Sequence, residues 1–195
     1  MEKEIIKLLK QKASTKQDVY RKTQAIFADL QKLLKQKASR ISKSITVQDK
    51  SIKIEYSSKG KFEAQINFSG ETLLFHMHSN IFTFPSSHQL HRTKYIKEDS
   101  LRGFFGVIHV YNFLADSLKY NRVNDSGFLI ARIFINKDHQ FFIEGDHEIG
   151  FLFNDFINQK IDSKYLEKII DVLMIHALQE DLETPEFNNV REVYI

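Results

Sequence analysis

Apolar residues recur along this chain with two different periods, and the switch between them outlines a fold. In residues 2–12, Ile5, Ile6, Leu8 and Leu9 share one face of a short amphipathic helix. Ser14 and Gln17 have the spacing of a capping box, which predicts that a second helix starts near Thr15. In that helix, over residues 15–43, Tyr20, Phe27, Leu34 and Ile41 recur every seven residues, flanked by Val19, Ile26 and Leu33 and joined by Leu30. The stripe is broader than a two-stranded coiled-coil seam and suits a helix laid on a sheet or in a small bundle. The octapeptide KLLKQKAS occurs at residues 7–14 and again at 32–39. No third copy follows, so it reads as local duplication or chance rather than a repeat fold.

From residue 50 the period becomes two. Ile52, Ile54 and Tyr56 alternate with Lys53 and Glu55, and Phe62, Ala64, Ile66 and Phe68 alternate with polar residues after a turn at 57–60. A third strand covers Thr72–His78, with Ile81–Phe84 extending it. One wet face predicts an antiparallel meander. Residues 85–100 read as the one real loop. Over 101–121, Leu101, Phe104, Phe105, Ile108, Tyr111, Ala115 and Leu118 keep helical spacing, although Gly103 and Gly106 weaken a helix. A strand at 104–111 leading into a short helix is the alternative.

Phe128–Ile135 is apolar on both strand faces, which predicts a central strand covered on both sides. Lys137-Asp138 turns the chain into Phe141–Glu144, and Gly145-Asp146-His147 turns it into a further strand at Ile149–Phe153. A last helix, capped by Asp162 or Ser163, runs to about Leu182 and is apolar nearly all round; Pro185 stops it, leaving 186–195 as a loose or docked tail. The fold class expected is α+β: a largely antiparallel sheet of five to seven strands, a long N-terminal helix and two further packed helices, 101–121 and 163–182. Residues 1–43 form the helical segment and 44–195 the α+β domain, together one structural unit.

Composition narrows the chemistry. The chain has 195 residues, 17 Phe and no Cys, which excludes disulfides, zinc–thiolate sites and thiol nucleophiles. Its start carries a charge every two or three residues, so it reads as neither a signal peptide nor a membrane span, and the cytoplasm is the expected location. The net charge of +3 hides an asymmetry: residues 1–43 hold 12 Lys/Arg against 4 Asp/Glu, and residues 145–195 hold 4 against 11. Either the basic and acidic ends lie together, or the basic helix faces an acidic partner such as nucleic acid. Its charges ring the helix rather than forming one stripe, which makes nucleic acid the weaker reading.

Three constellations stand out. His76 and His78 point to one face of a strand, and His88 and His91 follow in the loop; such a set resembles metal ligands, but no carboxylate accompanies it. The plain alternative is two histidines on a half-wet sheet face. On a helical 101–121, His109, Asn112 and Asp116 form a polar ridge in which a carboxylate orients an imidazole as a general base. No nucleophile motif stands near, and the border of a packed helix looks the same. Arg132, inside the most apolar strand, needs a partner, and a three-residue loop at 137–139 places Glu144 opposite it. That is an ion pair, or a ligand anchor.

No phosphate-binding loop, dinucleotide fingerprint or nucleic-acid signature is present, and no cofactor is called for. The order helix, three strands, helix, three strands, helix looks like that of small dimeric secretion-type chaperones, which implies a binding role; no motif residue carries that analogy. The expectation is a non-enzymatic binding or adaptor module that self-associates, with a metal-dependent or hydrolytic enzyme as the competing class.

Overall fold

The computed structural model describes residues 1–180 and Arg191, the side chain of His147 excepted. The expected stop at Pro185 and the tail 186–195 lie outside the described residues. The fold is α+β, with six antiparallel strands in simple sequence order: β1 (Ile54–Lys59), β2 (Glu63–Phe68), β3 (Glu71–Met77), β4 (Phe105–Leu114), β5 (Phe128–Asn136) and β6 (Phe141–Gly145). Short polar turns join most neighbours, so each strand pairs with the next.

The N-terminal helix is longer than its sequence signals suggest. Helix α1 (Glu2–Leu8) passes through a π turn, Leu9–Ala13, directly into α2 (Ser14–Ile45). Ser14 therefore caps nothing: it sits in helical backbone and makes no cap bond, because the carbonyls of the preceding turns already serve the amides there. The heptad stripe lies as predicted. Phe27 and Leu34 are buried, and Tyr20 and Ile41 are half-buried against the same core.

That core fills the space between one face of the sheet and α2 with α6 (Ser163–Gln179). Helix α6 is N-capped by Asp162, whose carboxylate accepts the Tyr165 amide at 2.8 Å. An apolar surface nearly all round suggests a fully buried helix, but α6 is not one, since Ile175 and Leu178 face solvent. The basic and acidic ends of the chain do meet here: Lys37 of α2 pairs with Asp171 of α6, and Arg40 lies 3.1 Å from Glu167.

Residues 101–121 are not a helix. A 3₁₀ turn (Ser100–Gly103) leads into strand β4, and only Ala115–Lys119, α4, is helical. The first half of β4 is buried on both faces: Gly106, Ile108 and Val110 lie on the helix-covered side, and Phe105 and Val107 join a second cluster on the other. A run buried on both faces has no period of two, and its apolar residues mimic a helical stripe. Gly106 is needed for contact, because a Cβ there would lie 2.7 Å from Cβ and 2.8 Å from Cγ2 of Thr23 in α2.

Two further expectations fail. Strand β5 is covered on both sides over its second half, but it is one strand from the edge, and β3 and β4 hold the centre. Residues 149–153 form no strand: His147–Leu152 is helix α5, with Ile149 and Phe153, four apart, buried and Phe151 and Leu152 exposed. The element order of the chaperone analogy is accordingly not kept.

The second cluster decides the character of the outer sheet face. The segment between β3 and β4, which includes α3 (Lys94–Glu98), folds over one end of that face. Phe84, Leu90, Tyr95 and Ile96 then pack on Phe105, Val107, Phe134, Phe142 and Phe156. Polar bonds fix this cover: the Tyr95 hydroxyl donates to Asp138 at 2.6 Å, Arg102 Nε donates to the same carboxylate at 3.0 Å, and buried Asn136 donates to Tyr95 at 3.1 Å. The other end of the face stays open.

Candidate functional site

The open end of the sheet carries one continuous row of ionisable residues. Lys59 is opposite Glu63, Glu63 opposite His76, His76 opposite His109, His109 opposite Arg132, and Arg132 opposite Glu144. Directly opposed residues project to the same side, so this row crosses all six strands on one face. Its strand neighbours Ala64, Phe75, Met77, Ile108, Ala131, Ile133 and Ile143 are buried in the main core, so the row points away from α2 and α6. From Glu63 to Glu144 every member is half-buried, and Lys59 is exposed.

Three imidazoles gather at the centre. The rings of His76 and His109 stack at 6.4 Å between centroids with planes 8° apart, and His78 stands edge-on to both at 6.4 and 6.1 Å. Phe82 packs edge-on against His78 at 4.7 Å and Tyr111 against His109 at 6.0 Å, giving the trio aromatic walls. His78 Nδ1 accepts the Asn80 amide at 2.9 Å, which leaves the proton of its neutral form on Nε2. Burial holds the His109 imidazole below the ordinary histidine range, and the positive charges of His76, His78 and Arg132 push it the same way. The centre of the row is thus an imidazole whose charged form is disfavoured, first by burial and then by its neighbours.

Arg132 meets Glu144 as the turn chemistry requires. The loop 137–139 has three residues, His139 takes the left-handed conformation (φ 64°), and the guanidinium and carboxylate form an ion pair. Arg132 also lies over the Phe134 ring, 5.3 Å from its centroid.

The other candidates separate. His88 and His91 do not join His76 and His78. His88 stacks on Phe84 at 4.3 Å and accepts the Leu90 amide, while His91 Nε2 lies 3.0 Å from the Phe84 carbonyl. Both hold the loop in shape. Among the described residues, no group of three or more His, Asp and Glu side chains is placed to hold a metal ion. The ridge His109, Asn112 and Asp116 dissolves with the helix that would have built it. His109 lies on the open face and Asp116 is exposed on α4. Asn112 is opposite the core residue Leu73, on the helix side of the sheet. There it lines a cavity of about 910 Å³ at the far end of the core, with Glu71, Phe113, Phe128 and Ile130. Burial raises the Glu71 carboxyl above its usual range, partly opposed by its hydrogen bond with Asn112, whose Oδ1 is buried and unpartnered among the described residues.

Lys59 and Glu63 of the central row escaped sequence reasoning, because Lys59 reads as part of a turn and Glu63 as any solvent-side residue of an alternating strand. His109 reads as part of a helical ridge, and it joins His76 only because 101–121 contains a strand in the observed register. Among the described residues no helix is long and apolar enough to cross a membrane. The chain matches no family model, no curated protein and no solved structure.

Proposed function

We propose that this protein is a non-catalytic binding module that holds an acidic group, a carboxylate or phosphate, on the open face of its sheet at His76, His78, His109 and Arg132. The observation behind this reading is the register that stacks His76 on His109 and sets Arg132 beside them. The row offers imidazole and guanidinium donors on a rigid sheet, and ordered sheet residues position ligand groups more tightly than loops do. Burial is the main cause that depresses His109, and a bound anion would offset the smaller push from its cationic neighbours. The hydrolytic alternative is left with less support, since Asn112 and Asp116 stand apart from His109. Nucleic-acid binding through the basic helix is weakened by the commitment of Lys37 and Arg40 to α6.

Titration with inorganic phosphate, followed by NMR of the histidine ring resonances, tests the proposal. The His76, His78 and His109 signals should shift together and saturate, the titration of His109 should move upward in pH, and Arg132→Met should remove the response. Ring signals that stay put, or that move equally in Arg132→Met, would overturn it.

A further inference from the structure

Among the described residues, none covers the apolar face of the first thirteen residues of the long helix. Neither α1 nor the π turn contains a buried residue, and Ile5, Ile6, Leu8 and Leu9 are 57%, 43%, 51% and 58% exposed. Ile5, Leu8 and Leu9, together with Ala13 and the stems of Lys12 and Lys16, line a shallow apolar groove of about 290 Å³. A contiguous apolar patch of this kind on an otherwise charged helix is an interface signature.

The sequence of this segment says what covers it. Glu2-Lys3-Glu4-Ile5-Ile6-Lys7-Leu8-Leu9-Lys10-Gln11-Lys12 is symmetric in polarity about Lys7: two apolar residues on each side, then three polar ones. Its charges are antisymmetric at two of the three mirrored polar positions, with Glu2 and Glu4 at one end and Lys12 and Lys10 at the other, while Lys3 mirrors the neutral Gln11. Two copies crossing antiparallel at Lys7 therefore set Ile5 and Ile6 of each against Leu9 and Leu8 of the other. The same crossing brings Glu2 and Glu4 of each alongside Lys10 and Lys12 of its partner, at both ends of the seam. A two-fold interface must be complementary to itself in this way. Lys7 lies on the side away from the apolar face, so the two Lys7 side chains do not meet in the seam.

We propose that this protein forms a two-fold dimer through antiparallel pairing of residues 2–13 with the same segment of a second copy. The seam is about 20 Å long at the helical rise, short for a permanent interface, so the dimer should dissociate on dilution. The proposal needs nothing from the site on the sheet, and the dimer and phosphate experiments can fail separately.

Sedimentation of the full chain over a concentration series tests it. Wild type should pass from monomer to dimer, and Ile5→Ser with Leu9→Ser should stay monomeric while keeping its thermal midpoint, because neither side chain is in the core. A charge exchange tests the register itself. The variant Glu2→Lys with Glu4→Lys and the variant Lys10→Glu with Lys12→Glu should each be monomeric alone and should form a one-to-one complex when mixed. A wild type that remains monomeric throughout overturns the proposal, as does a dimer indifferent to the apolar pair or two charge variants that ignore each other. Monomer that instead floats with vesicles containing anionic lipid also overturns it, making the same face a membrane contact.

Discussion

Arg132 on β5 and Glu144 on β6 sit opposite each other across a three-residue turn and are ion-paired, yet neither is enclosed: their side chains are 44% and 36% exposed. A charge in an apolar strand suggests a costly buried pair, but the guanidinium reaches water on the open sheet face. An exposed pair contributes little. In a double-mutant cycle of Arg132→Met and Glu144→Gln, urea unfolding should report a coupling of about 0.5–1 kcal/mol. A coupling near 3 kcal/mol would mean that the face is covered in solution.

The His109 imidazole imposes a pH dependence on stability. Its folded pKa lies below the unfolded value, so the unfolded chain takes up the proton first. Its contribution is fully present above about pH 6.5, the ordinary histidine value, and is lost as pH falls through the folded pKa. Thermal midpoints should therefore fall between pH 7.5 and 5, and the slope should flatten in His109→Gln. A slope unchanged by that substitution would place its origin in other groups.

Gly106 of β4 lies directly against Thr23 of α2. A methyl group there collides with Thr23, whose hydroxyl donates to the Val19 carbonyl at 2.8 Å, so α2 must move off the sheet. Gly106→Ala should cost about 2–3 kcal/mol in chemical unfolding, the range of core overpacking. Adding Thr23→Ala should recover part of that loss, and strictly additive losses would show that the two residues do not compete for the space.

The repeated octapeptide provides an internal control. Leu34, in the second copy, is fully buried in the main core, while the matching Leu9 is exposed. Leu34→Ala should cost about 3 kcal/mol, whereas Leu9→Ala should change the stability of the monomer by less than about 0.5 kcal/mol. Similar losses at low protein concentration would mean that Leu9 is buried within its own chain.

Those two copies mark the boundary between local and tertiary information. Much of what depends on neighbours a few residues away was legible in the chain, the Ser14 cap and the strand at 149–153 excepted. The heptad stripe of α2, the alternation in β1–β3, the Asp162 cap and the turn that sets Arg132 opposite Glu144 are all local patterns. Identical sequence at 7–14 and 32–39 forms helix in both places for the same reason. Which copy is covered is another matter: Leu34, Lys37 and Ala38 are buried because the sheet and α6 lie beneath them, whereas among the described residues none buries any residue of 7–12. The same limit hid the candidate site. A strand buried on both faces, like the start of β4, loses the period that announces a strand, so Phe105, Ile108 and Tyr111 mimic a helix. Only the pairing of β3 with β4 and of β4 with β5 brings His109 between His76 and Arg132, residues 33 and 23 positions away, and register across a sheet is set by packing of the whole core rather than by any stretch of sequence.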